Sequence, residues 1–143
     1  MFRKLFVLIA AASLLSACGE PAVTPPPAPP APQAPVSYMT FFDLGSTKLS
    51  DQSMQTISQA AQVYKTKVSA RIQVTGYADT VGSPAMNVQL SQRRATVVKD
   101  ALVKAGVPAA AIATSGDGET GLLVNTGDQA NEPRNRRVAI VIQ

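Results

Sequence analysis

Thr75-Gly-Tyr-Ala-Asp-Thr-Val-Gly82, running on into Ser83-Pro84 and a long helical pattern, is the stretch that decides the fold. The residues leading into it alternate, with Ala70, Ile72 and Val74 on one side and Arg71, Gln73 and Thr75 on the other. That is the period of a half-buried strand. Gly82 provides a turn, Ser83 a helix cap, and Pro84 occupies the first helical position, where its missing N–H does no harm. Gly106 followed by Pro108 ends the helix. Asp79 therefore stands where a strand gives way to a helix.

Downstream, Ile112 to Gly116 reads as a third strand and Arg137 to Gln143 as the last, with Val138, Ile140 and Ile142 on one face. Upstream, Tyr38 to Phe42 is a short β-rich run. Ser50 then caps a helix whose Met54, Ile57, Ala61 and Tyr64 fall at helical spacing. The order β-α-β-α-β-β predicts an α+β domain, a two-layer sandwich with the helices on one face of a mixed sheet.

On the second helix, Val98, Ala101, Leu102 and Ala105 mark an apolar face, and Arg93, Asp100 and Lys104 a solvated one. Extended toward the N-terminus, the apolar face carries Asn87, Ser91 and Arg94. An arginine on an inward face needs a partner, because a buried uncompensated charge is strongly destabilising. Asp79, at the carboxyl end of a strand, is the candidate. Two readings fit: a plain Asp79–Arg94 salt bridge, or a zwitterion site. In the second, Asp79 accepts from an ammonium group and Arg94 grips a carboxylate in two parallel bonds.

Thr75-Gly-Tyr-Ala-Asp-Thr-Val-Gly82, Asn87-x-x-Leu90-Ser91-x-x-Arg94-Ala95 and Asn135-Arg-Arg-Val138 together resemble the OmpA-like C-terminal domain, the family of the peptidoglycan-associated lipoproteins. Phe41-Phe42-Asp43-Leu-Gly-Ser46 is similar to the family's opening strand, and the resemblance covers about Tyr38 to Gln143. It implies non-covalent binding of peptidoglycan through the diaminopimelate of the stem peptide. By position it makes Asp79 and Arg94 the ligand-binding pair and Asn87 a pocket-shaping asparagine. Asp43, Thr80 and Arg136 match further pocket positions, although Asn135-Arg-Arg137 can equally serve to tie down the loop before the last strand. Removal of Asp79 or Arg94 is then expected to abolish wall binding and leave the fold intact. The chain departs from the family at Tyr77, where many members have histidine, at Met86, where many have tyrosine, and in a shorter segment from Gly116 to Asn135.

The N-terminus adds an address. Arg3 and Lys4 precede an apolar run, Leu5 to Leu15, of about a dozen residues, too short for the roughly 20 that a membrane span needs. It reads as a secretory signal, residues 1–17. Leu15-Ser16-Ala17-Cys18 resembles a lipobox, making Cys18 the lipidation site and excluding a disulfide, as it is the sole cysteine. Residues 18–36 hold eight prolines and form a polyproline II tether reaching roughly 50 Å. Residues 37–143 form the domain. Gly19, rather than aspartate, after Cys18 points to the outer membrane, with the domain in the periplasm.

Residues 37–143 carry eleven basic and eight acidic side chains, with no dense basic stripe, which excludes a nucleic-acid binder. The chain has no histidine, so zinc sites and His- or Cys-based nucleophilic catalysis lack their parts. No metal or cofactor is expected. An Asp43–Asp79 carboxylate pair is the remaining enzymatic arrangement, and the preferred reading is a non-enzymatic binding module. Its expected partners are peptidoglycan, the outer membrane through Cys18 and, as an alternative main role, a periplasmic Tol-system protein.

Overall fold

A computed structural model describes residues 34–143. The signal segment, Cys18 and the tether up to residue 33 lie outside the described residues.

The elements are β1 (Val36–Phe41), α1 (Asp51–Thr66), β2 (Ile72–Gly76), α2 (Pro84–Lys104), β3 (Ile112–Gly116) and β4 (Arg137–Ile142). Single 3-10 turns at Ala109–Ala111 and Pro133–Asn135 precede the last two strands. The sheet order is β1-β4-β2-β3. β4 runs antiparallel to both β1 and β2, and β2 runs parallel to β3. The sheet is mixed, and the chain's last strand slots between its first two. The expected α+β sandwich is what forms.

Local chemistry accounts for the helix starts. Ser50 accepts from Ser53 N–H and Ser83 from Met86 N–H, each meeting a donor that the first helical turn leaves unpaired. Both helices pack on one face of the sheet. Ile57, Ala60 and Ala61 of α1 and Ala95, Val98 and Leu102 of α2 meet Ile72, Val74, Ile112, Val138, Ile140 and Ile142. Alternation along β4 puts its three core residues on this face, as the sequence predicts.

Two expectations need correction. Val36, assigned to the tether, is the first residue of β1 and pairs with Ile142. Met54, assigned to the buried face of α1, is 46% exposed, and Ser53 and Ala60 are buried instead. Small residues let α1 sit close to the sheet on a face slightly rotated from the one its larger side chains suggest.

α2 sits closer still. A Cβ at Gly76 would lie 2.0 Å from the Ser91 carbonyl oxygen, and one at Gly116 would lie 2.4 Å from the Gln92 nitrogen. The backbone of α2 thus rests directly on the carboxyl ends of β2 and β3. That seat carries Asn87, Ser91 and Arg94 over the strand ends.

Candidate functional site

Beyond Gly76 the chain stays pinned for two more residues. Tyr77 N–H donates to the Arg137 carbonyl at 2.8 Å and Ala78 N–H to the Gly118 carbonyl at 2.7 Å. Asp79 follows, 3% exposed, with its orientation set by that anchored backbone.

Arg94 is fully buried, as its inward position on α2 demands. Its Nε donates to the Ser46 carbonyl (2.9 Å), Nη1 to that of Tyr77 (3.1 Å) and Nη2 to that of Asp43 (3.0 Å). The Phe42 ring lies 5.2 Å from the guanidinium carbon. One side chain therefore ties the β1–α1 loop to the end of β2. Burial pushes its pKa down to about 10, Asp79 pulls it back up, and Arg136 adds a smaller downward push.

The direct partner of Asp79 is Arg136. Its Nη1 donates to Asp79 Oδ2 at 3.0 Å, with both side chains almost buried. The same nitrogen donates to Asn131 Oδ1, and Nε donates to the Phe42 carbonyl at 3.1 Å. The Asp79–Arg94 salt bridge offered as one reading of the sequence is not what forms. Asp79 and Arg94 are near enough to interact electrostatically, while the hydrogen-bonded ion pair belongs to Arg136, a position the sequence places only on the periphery.

The other candidates divide by role. Asp43 is exposed and meets Arg94 through its backbone carbonyl. Asn87 is buried and donates from Nδ2 to Glu119 at 3.0 Å, joining α2 to the segment after β3. The Thr80 hydroxyl donates to the Gly127 carbonyl (2.7 Å) and accepts from Ala130 N–H (3.0 Å). Thr80 thus straps the 127–130 loop over the site, and Gln129, bonded both ways to Gly82, doubles the strap. Asn135 clasps the backbone of Val124 through its Oδ1 and Nδ2, so this part of the closing motif does tie down a loop. The inward Ser91 accepts from Gly118 N–H at 2.8 Å.

Glu119, Asn131 and Gln129 escape sequence reasoning, since they lie in a stretch with no periodicity to read. Tyr77, noted only as a departure, lies 3.9 Å from the Arg137 guanidinium carbon.

Beside the Asp79–Arg136 pair opens a groove of about 610 Å³, walled by Phe42, Asp43, Lys48, Leu49, Arg134 and Arg136 among others. Arg136 belongs both to this wall and to the ion pair, so the groove reaches the edge of the buried charges. Asp79, Arg94 and Asn87 lie behind it and do not line it. Among the described residues no cluster of acids suited to a metal ion occurs. The arrangement offers one carboxylate, whose Oδ1 makes no hydrogen bond to any described residue, backed by two guanidinium groups. Such a site suits a small ligand carrying both charges.

Known proteins show the same architecture. A model of the OmpA family matches residues 41–136. An outer membrane protein of Gluconacetobacter diazotrophicus is 38% identical over 112 residues, covering 74% of this chain and 30% of that protein. The peptidoglycan-binding protein ArfA of Mycobacterium tuberculosis is 36% identical over 86 residues, covering 60% of this chain and 26% of ArfA. The crystal structure of the peptidoglycan-associated lipoprotein from Burkholderia pseudomallei superposes with a TM-score of 0.68 at 30% identity, covering 73% of this chain and 89% of that one. The chain spans a third or less of the first two proteins' length.

Proposed function

The chain belongs to the OmpA family, and from that membership we propose that it is a cell-envelope protein whose folded domain grips peptidoglycan non-covalently through the diaminopimelate of the stem peptide. The observation that carries this reading is the buried charge constellation of Asp79, Arg136 and Arg94, which reaches an open groove through Arg136. The similarity to a peptidoglycan-binding protein and to a peptidoglycan-associated lipoprotein supports it.

The chemistry divides as follows. The ligand's ammonium group donates to Asp79, whose Oδ1 is uncommitted. Its carboxylate accepts from the guanidinium pair. Of the five N–H groups of an arginine, Arg94 has three on backbone carbonyls and holds two more in reserve. Arg136 offers its remaining donors from the groove side. One anion and two fixed cations offer an acceptor for an ammonium group and donors for a carboxylate, which suits the free amino and carboxylate end of a peptide-linked diaminopimelate. Asn87 and Thr80 act at one remove, by holding the loops that close the site. No group transfer is needed, so the reading is a binding module.

With Cys18 acylated in the outer membrane and the tether extended, two simultaneous attachments would link membrane and wall, and a modest wall affinity would suffice. Pulldown with purified peptidoglycan, with and without free diaminopimelate as competitor, tests the site. Retention that free diaminopimelate releases supports the reading. No retention, or retention indifferent to the competitor, overturns it.

A further inference from the structure

Arg137 points away from the wall site. Val138, Ile140 and Ile142 face the helices, so alternation sends Arg137, Ala139 and Val141 to the opposite face of the sheet. There Arg137 is only 6% exposed and lies 3.9 Å over the Tyr77 ring. Nη2 donates to the Gly121 carbonyl at 2.9 Å. Nε and Nη1 are buried without a hydrogen-bond partner, and no described carboxylate pairs with the guanidinium.

Solvent can meet two orphaned donors, but it does not supply the counter-charge that a desolvated guanidinium lacks. The surroundings are built to hold the group in place. Gly121 has a φ of +77° and its Cβ position would lie 3.3 Å from the Tyr77 ring, so a glycine here lets the turn close over the stack. Burial also holds the Arg137 pKa below its ordinary value.

We propose that Arg137, Tyr77 and the Gly121 turn form a second anion site, on the sheet face away from the helices, that takes a carboxylate. Nε–H and Nη1–H diverge, so a planar anion with two acceptor oxygens takes one of them together with the Nη2 proton that Gly121 leaves free. Phe41, the β1 partner of Arg137 and 47% exposed, and the Tyr77 ring give the site an apolar rim. That rim favours a carboxylate carried on a small organic group over a hydrated inorganic anion. Two sources share this chemistry: the terminal carboxylate of a stem peptide, or a free small carboxylate. Only the first rests on the wall-binding reading.

The test is an NMR titration of the full-length protein with sodium acetate, following Arg137 Nε–H and the Tyr77 ring, with sodium chloride at equal ionic strength as control. The expected result is a saturable shift of both signals with acetate and none with chloride. Arg137→Gln should remove the Tyr77 response. Signals indifferent to acetate, with Nε–H exchanging freely with water, mean that the donors hold solvent only and overturn the proposal. A stem peptide with a free terminal carboxylate is then compared with its amidated form. About tenfold weaker binding of the amide, with the difference erased by Arg137→Gln, assigns the site to the wall. Equal binding with an intact acetate response assigns it to free carboxylates. A failed peptidoglycan pulldown beside an intact acetate response removes the wall reading and leaves this one standing.

Discussion

Asp79 is paired with Arg136, 57 residues further along the chain and 3.0 Å away, while Arg94, its expected partner, is held by three backbone carbonyls. The two arginines therefore do different jobs. Arg136 supplies the counter-charge at the groove edge, and Arg94 organises the backbone behind it.

Asp79→Asn should separate charge from shape. The amide fills the same space and can still accept from Arg136, so the domain should still fold, with a loss of about 3–5 kcal/mol, the range for removing one charge of a buried ion pair. Binding to peptidoglycan should vanish, since nothing is left to neutralise an ammonium group. Thermal unfolding and pulldown on one preparation check both. A variant that binds as wild type removes Asp79 from the site.

Arg94→Ala should not leave the fold intact, contrary to what the sequence suggests. It strips the carbonyls of Ser46 and Tyr77 of their donor, leaves that of Asp43 with the Ser46 N–H alone, and opens a large cavity in the core. Each unsatisfied buried carbonyl costs about 1–3 kcal/mol, and the total approaches the whole stability of a small domain. The expected outcome is a chain unfolded or barely folded at 37 °C by circular dichroism. Lost wall binding in this variant therefore says little about ligand contact. Arg94→Lys retains the charge but offers fewer donors, and should fold with a lower melting temperature.

How far the sequence discloses this site follows from what periodicity can encode. Asn87, Ser91 and Arg94 are legible as inward residues because a helix of 21 residues fixes its own phase, and all three are buried. Asp79 is legible because a strand and a helix bracket it. The match between Asp79 and Arg136 is not, because the segment between β3 and β4 has neither period nor regular structure beyond one short turn. Its path is set by single contacts, such as Asn135 to Val124 and Thr80 to Gly127. The misplaced Met54 of α1 has a related cause. Ala60 and Ser53 mark the helix's buried face, and small side chains weigh little in a hydrophobic pattern.

Gly76→Ala tests the seating of α2. The added methyl would stand 2.0 Å from the Ser91 carbonyl oxygen, a backbone atom that cannot swing aside. Either the helix lifts from the strand ends or the chain fails to fold. Overpacking of a core costs about 1–3 kcal/mol, and a clash with backbone falls at or beyond the upper end. A denaturant melt should show a clearly lower midpoint, and any folded fraction should bind peptidoglycan poorly, because Asn87 and Arg94 move with the helix. Wild-type stability would mean that α2 does not rest on β2 as described.

The turn before Arg136 makes a pH-dependent prediction. Glu132 accepts from the N–H of Arg134 and, through both carboxylate oxygens, from its guanidinium, all at 3.0 Å. These bonds hold the Glu132 pKa down at about 2, against an ordinary value of 4.5. A carboxylate whose folded pKa is depressed contributes stability that is fully present above its unfolded pKa and is lost as pH falls through the folded one. The window here runs from about 4.5 down to about 2. The Arg134 side chain is solvent-exposed and that of Glu132 partly so, and screening keeps the effect on global stability small and salt-sensitive. The local effect should be plain: the Glu132 carboxyl should titrate by NMR well below its ordinary value of 4.5. Arg134→Ala should return it toward the ordinary range and loosen the Pro133–Asn135 turn that delivers Arg136 to Asp79. A Glu132 titration indifferent to that substitution would mean that the pair does not form in solution and that Arg136 is held by Phe42, Asn131 and Asp79 alone.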